Sequence, residues 1–264
     1  MRSNGCRINC NPILAHFKQK FAWLPQNGPR EGLFVPIETE LRFRSTYRAI
    51  ESAGGGWMSS QQTKYAARYE DVLAMVENHS FAWVVSMAQG LRATPLPLRP
   101  RLGASGELIG FIGHFARSNP QVEELRQAGR ALLLFLGPHG YISASWMRDR
   151  TQAPTWNYMA AQFDCRMTMI DDAEGIDDCL NTLIGSMEEG RPNAWSISEM
   201  GERAARLARG VVGFHADIIS SRSVFKLGQD ERDDVLADIL LGLEREPGGE
   251  ALLAPMKRYN ARRI

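Results

Sequence analysis

Apolar residues along this chain fall mostly in short blocks separated by turn residues, and the period of those blocks changes from two to nearly four and back. Residues 33–37 are a brief apolar run, and Pro36 suits an edge or first strand position because proline cannot donate to a ladder. Residues 38–62 are polar, with three glycines at 54–56, and predict a surface loop. Val72, Leu73 and Val76 then share one side of a short helix expected over 69–79. Strands follow at 81–87 and 91–98 around a turn at Gln89 and Gly90; Pro95 and Pro97 place the second at an edge or a bulge.

Another strand is expected at 107–116. Asn119 and Pro120 supply a helix cap and first helical residue for a helix through Gln127. Residues 131–136 read as a buried strand, 141–144 as a further short one and 155–170 as one long enough to bend round a barrel. Ile176, Cys179, Leu180, Leu183, Ile184 and Met187 fall at helical spacing behind Asp172, a plausible cap. A helix beginning at Ser198, a last long strand at 211–219 and an amphipathic helix at 234–243 complete the pattern, with the basic tail after Pro255 expected to fray. Six or seven strands joined by short turns, with helices between and after them, predict a mainly β fold: a closed antiparallel barrel with attached helices. Closure hides edges that would otherwise pair with another chain.

Composition narrows the function without choosing it. The 264 residues are 44% hydrophobic and 23% charged, ordinary values for a globular protein, and the formal net charge of +1 argues against a broad electrostatic footprint for nucleic acid or anionic membrane. No apolar run is long enough to span a bilayer. Cys6, Cys10, Cys165 and Cys179 form neither a disulfide framework nor a zinc pattern, so a reducing cytoplasm is the expected location. Residues 1–32 are expected to form a flexible extension, 33–245 the barrel domain with its helices, and 246–264 a tail. P-loop and GxGxxG patterns are both missing.

Two runs carry the candidate chemistry. GFIGHFARSNP, from Gly110, delivers His114, Arg117 and Asn119 at the end of a strand; YISASWMRDRTQAPTWNY, from Tyr141, concentrates Trp146, Trp156, Asn157 and Tyr158. Aromatic faces with short polar neighbours suit a pocket for a planar cofactor. His114 could orient such a cofactor, move a proton or ligate a metal ion through an imidazole nitrogen, and His79, His139 and His215 compete for any ligand role, with His215 the weaker alternative to His114. The planar fork of Arg117 suits a phosphate, a propionate or a ring edge, whereas Asn119 serves more naturally as a helix cap.

In order, LFVPI, ENHSFAWVVS, ATPLPL, GHFARSNP, GPHGYISASW, PTWNY, GVVGFHADI and FKLGQD resemble the PaiB-type branch of the FMN-binding split-barrel superfamily over about residues 33–243. The resemblance implies a split barrel, a homodimer with cofactor pockets shared across its interface, and FMN as cofactor. Lys226 and Gln229 match positions that close the family's pocket, and a small-molecule substrate or redox partner would follow, with no membrane. The resemblance also admits two alternatives. One is a haem b enzyme similar to piperazate synthases, which close an N–N bond, with His114 as the metal ligand. The other is a cofactor-sensing transcriptional regulator, the one reading that brings in DNA. Three positions depart from the family pattern: Pro95 replaces a histidine, Met147 ends the SW-aromatic motif, and Asp230-Glu231 makes the usually basic terminal motif acidic.

Overall fold

The computed structural model describes residues 21–25, 32–36, 64–88 and 90–261. Two compact units divide the chain after Met58. Of the first, strands β1 (Phe21–Pro25) and β2 (Gly32–Pro36) form an antiparallel pair, Phe21 opposite Pro36 and Pro25 opposite Gly32. Most of the expected extension and all of the 38–62 loop lie outside the described residues.

The second unit holds a seven-stranded sheet built from β3 (Phe81–Ser86), β4 (Arg92–Pro97), β5 (Arg99–Leu102), β6 (Leu108–Ala116), β7 (Arg130–Ile142), β8 (Thr155–Ile170) and β9 (Val211–Lys226). Their order is β4-β3-β7-β8-β9-β6-β5, and the pairings are antiparallel. The two edge strands, β4 and β5, are separated in sequence by Leu98 alone. One residue joining opposite edges closes the sheet on itself, which is the predicted barrel. Leu98 is fully buried at this seam, and its side chain fills the space beside Gly113 on β6. A Cβ at Gly113 would lie 2.6 Å from both Leu98 and Phe214, so the seam needs glycine there for close approach.

Alternation along the strands sends one set of side chains inward. Phe111, Phe135 and Phe163 meet there with ring centroids 4.9, 4.9 and 5.7 Å apart, and Phe115 meets Phe214 at 5.1 Å. Helix α1 (Tyr69–Asn78) buries Met75 and Val76, and α2 (Gln121–Ala128) buries Val122 and Leu125. Gln121 at the start of α2 is itself buried and donates to the Val84 carbonyl at 2.9 Å. Helix α3 (Ala173–Glu188) lies over the outward side of β6 and β9; Ile112 packs with Cys179 and Leu183, and the Cys179 thiol donates to the Gly113 carbonyl at 3.1 Å. Asp172 caps α3 through a 2.8 Å bond from the Gly175 amide, as the sequence predicts. The short α4 (Glu202–Ala208) follows a 3-10 turn, and α5 (Asp233–Arg245) and α6 (Glu250–Tyr259) end the described chain.

Three segments differ from the sequence expectation. Residues 131–136 and 141–142 belong to one strand, because β7 pairs with β8 on both sides of Gly137 and Pro138 and the ladder merely shifts register where proline has no donor; the expected strand end at Ala144 is instead the start of a 3-10 turn. β9 runs on to Lys226, past the polar stretch Ser220, Ser221, Arg222 and Ser223, whose solvent exposure hides any apolar pattern while the backbone keeps its partners on β8. The tail expected to fray is helix α6: Leu252 and Met256 are buried, and Asn260 donates to the Leu227 carbonyl at 2.9 Å.

Candidate functional site

At the start of β8 the strand alternation splits the PTWNY run into two sets. Asn157 and Met159 point inward and are buried, while Trp156 and Tyr158 stand on the outward side, Trp156 at 49% exposure. Trp156 pairs with Tyr141 across β7, and Tyr158 pairs with His139 on one side and Lys226 on the other. The Trp156 ring stacks on His139 with centroids 5.9 Å apart and planes at 25°, and Tyr141 approaches it at 6.3 Å. Lys226 Nζ donates to the Thr155 hydroxyl. Lys226 thus stands beside Tyr158 on one flank of β8, while His139 and Tyr141 on the other flank, with Trp156, are open to solvent. The same outward side continues through Leu136, Ala160 and Val224 in one register row and Trp83 and Leu134 in another, with Trp83 and Leu136 half exposed. The second row runs on into exposed Gln162 and Arg222, so apolar and polar groups share this side of the sheet.

Behind this cluster α6 supports β8. Asn157 Nδ2 lies 3.6 Å from Met256 Sδ, and its Oδ1, also buried, has no hydrogen-bond donor. Gln229 clamps the turn after β9, accepting from the Leu227 amide at 2.7 Å and donating to the Phe225 carbonyl at 2.6 Å. Trp146 is placed by α5, where Gly242 leaves room for its indole. Trp156, Tyr158 and Lys226 are therefore brought together, Gln229 holds the turn after β9, Asn157 packs beneath β8 against α6, and Trp146 rests on a separate helix.

The GHFARSNP run sits elsewhere. His114 pairs with Gly213, which in turn pairs with Ile170 at the far end of β8. Twelve positions separate Tyr158 from Ile170, about 40 Å along an extended strand at 3.3 Å per residue. His114 Nδ1 is buried without a partner, and burial lowers the imidazole's pKa below its ordinary 6.5. Burial also lowers that of His215, helped by Arg101 and opposed by Asp217. Arg117 donates to the Arg209 and Val211 carbonyls at 2.9 and 2.8 Å and to Asp171 at 3.0 Å, so its fork fastens β6 to the chain entering β9. Hydrogen bonds from Arg126 above all, and also from Arg117, hold the Asp171 carboxyl below the ordinary range against the cost of burial. Asn119 Oδ1 accepts from the Gln121 amide at 2.9 Å and its Nδ2 reaches Thr94 at 3.0 Å.

The three family departures have structural consequences. Pro95 lies on edge strand β4, opposite Trp83, and Met147 is buried in the core. Asp230 accepts from Tyr65 at 2.6 Å and Lys64 at 3.0 Å. Burial works against its ionisation, but these bonds win and keep its pKa below the ordinary value. Tyr65 is correspondingly pushed up to about 12, by burial first and then by the bond to Asp230. Sequence reading missed His139 as the stacking partner of Trp156, along with Tyr141 and Thr155; the register that gathers them becomes visible only once β7 continues through Pro138.

The model of the family described as "Putative FMN-binding domain" matches residues 60–220. The chain belongs to this family. Among curated relatives it is 29% identical over 184 residues to the Protease synthase and sporulation protein PAI 2 of Bacillus subtilis, covering 69% of this chain and 87% of that one. It is also 32% identical over 98 residues to the yeast protein YKL070W of Saccharomyces cerevisiae, covering 35% of this chain and 58% of that one. A distant structural likeness, TM-score 0.48 at 15% identity, links 66% of the chain to 79% of a FAD and haem binding protein of Mycobacterium smegmatis. Another, TM-score 0.46 at 9% identity, links 64% of it to 91% of the conserved hypothetical protein Rv2991 of Mycobacterium tuberculosis. Family and topology together make the chain a split-barrel protein of the PaiB type, and no helix among the described residues is long and apolar enough to cross a membrane.

Proposed function

We propose that the protein is a homodimeric flavoprotein that binds FMN against the outward end of β8 and uses it in an oxidoreductase reaction. The observation that carries this reading is the group of Trp156, His139, Tyr141 and Lys226 at one end of a sheet face with exposed apolar side chains, in a chain of an FMN-binding family. The residues fit the group. Trp156 and Tyr158 offer flat contact to an aromatic ring system, and Lys226 offers positive charge to a phosphate or a ring oxygen. Gln229 holds the turn behind them, while the apolar side chains of Leu136 and Trp83 pack against a second copy and exclude water. His114 and Arg117 stand a strand-length away, and in this reading they reach a flavin only from that second copy. Bound flavin supplies electron or hydride transfer, while the protein supplies position and a dry environment.

Uptake of added FMN by purified protein, followed by quenching of flavin fluorescence, tests the reading. A preparation that neither carries nor takes up flavin rejects it. Sedimentation equilibrium tests the dimer, and persistent monomer at micromolar concentration rejects the shared pocket.

Haem is the second reading, favoured by the buried and unpartnered Nδ1 of His114. Its neutral imidazole has the chemistry of an iron ligand. However, the neighbouring cavity of about 490 Å³ is walled by Arg117, Asp171, Ile176 and Arg209 rather than by the imidazole. A Soret band that is lost in His114→Ala after haem reconstitution would favour this reading over FMN.

A further inference from the structure

A cavity of about 300 Å³ lies between α1, α6 and the inward side of the β7–β8 pair. Asp71, Met75 and His79 recur every four residues along α1 and at its C-cap, and so form one wall. Met159 comes from the sheet and Arg258 from α6. Because Met159 and Tyr158 point to opposite sides of β8, this cavity is separate from the proposed flavin site.

The charges at its mouth do not balance. Asp71 is 3% exposed; its Oδ1 accepts from Arg258, whereas its Oδ2 has only Arg68 Nε at 3.8 Å and no hydrogen-bond donor. Two guanidinium groups over one carboxylate leave one positive charge in excess. His79 adds none at neutral pH, since burial lowers its pKa. The Tyr259 hydroxyl faces the same carboxylate as a potential donor, and burial first and then that contact raise its pKa, yet neither the hydroxyl nor Asp71 Oδ2 completes a hydrogen bond of good geometry. A buried acceptor without a donor is costly, and the site is therefore suited to a ligand that brings one. Below the mouth, the thioethers of Met75 and Met159 adapt readily to varied apolar shapes.

We infer that this cavity binds a small apolar α-amino or α-hydroxy acid. The carboxylate takes the donors of Arg258 that Asp71 leaves over. The neighbouring ammonium or hydroxyl donates to Asp71 Oδ2, and the side chain packs on Met75 and Met159. The volume of about 300 Å³ lies at the small end of ligand pockets and suits a ligand of this size.

Methyl-labelled methionine NMR of the full chain tests this, with Met75→Leu and Met159→Leu assigning the two signals. The titrants are L-leucine, 2-hydroxy-4-methylpentanoate, 4-methylpentanoate and 3-methylbutylamine. Leucine or the hydroxy acid should shift both methyls saturably, the plain acid should bind at least about threefold more weakly, and the amine should not bind. Either of the first two suffices, and their ratio separates amino from hydroxy acids. Arg258→Gln should weaken binding at least about tenfold while the other methionine signals stay in place, and Arg258→Lys should recover part of the loss. Asp71 keeps only the 3.8 Å contact to Arg68 in Arg258→Gln, so the unmoved signals of the other methionines serve as the check that the fold is retained. No saturable shift with any titrant at millimolar concentration, an amine that binds as well as the acids, or indifference to Arg258→Gln would each overturn the assignment.

Discussion

The two ends of the β8–β9 pair use similar residue types in opposite ways. At the Ile170–Gly213 end, the polar groups of GHFARSNP are mostly committed to the fold: Arg117 ties strands together, Asn119 caps α2, and His114 is sunk beneath the surface. At the Tyr158–Lys226 end, aromatic rings that could have filled a core stand half in solvent. A motif dense in His, Arg and Asn therefore marks the stabilised end, and the less conspicuous aromatic end offers a surface. Unspent contact area, more than the presence of polar chemistry, distinguishes a binding face from a structural one.

The contrast can be broken by substitution. Phe214→Ala, at a fully buried position beside Phe115 and Gly113, should cost about 3–5 kcal/mol, measured by urea denaturation. A loss under about 1 kcal/mol would mean that this end is less tightly packed than its geometry implies. Arg117→Ala should cost about 1–2 kcal/mol, its partly exposed ion pair adding little to the two carbonyl bonds. If Arg117 served a ligand alone, stability would not change.

Acidity sharpens the same comparison. His114 and His215 have pKa values lowered chiefly by burial, so the unfolded chain binds their protons more readily. The stabilisation from their neutral forms is complete above about 6.5 and is lost as pH falls from there through the lowered folded values. Urea midpoints should therefore drop between pH 7.5 and 5.5, and His114→Gln should reduce that drop. An unchanged drop in the variant would place the titrating groups elsewhere. At the other end, Trp156→Ala should cost less than Phe214→Ala, no more than about 2 kcal/mol, because half of the ring is already in water. A larger loss in the monomer would make it a core residue.

Much of the barrel is legible in the sequence because its strands are half buried and alternate cleanly. The run at 107–116 and the proline-marked edge at 91–98 correspond to β6 and β4. Legibility fails where exposure removes the pattern, as at Ser220 to Ser223, and where a proline suggests a break that the neighbouring strand bridges, as at Pro138. It fails again at α6, whose basic residues suggest a loose tail although Leu252 and Met256 anchor it. For the site, local sequence shows Trp156 and Tyr158 together but cannot show that Lys226 and His139 flank them, since that depends on the register of three strands. Nor can it show that Asp71 and Arg258, far apart in sequence, meet across a cavity.

The most direct test is an FMN titration followed by flavin fluorescence on the unaltered protein, the Trp156→Ala/Tyr158→Ala double variant and His114→Ala, at equal dimer content. The outward end of β8 as the ring-binding face predicts saturable quenching in the unaltered protein and at least a tenfold weaker Kd, about 1.4 kcal/mol, in the double variant, with a smaller change for His114→Ala. Equal affinity in the double variant, or a larger loss on removing His114, would contradict the assignment and move the site to the opposite end of the strand.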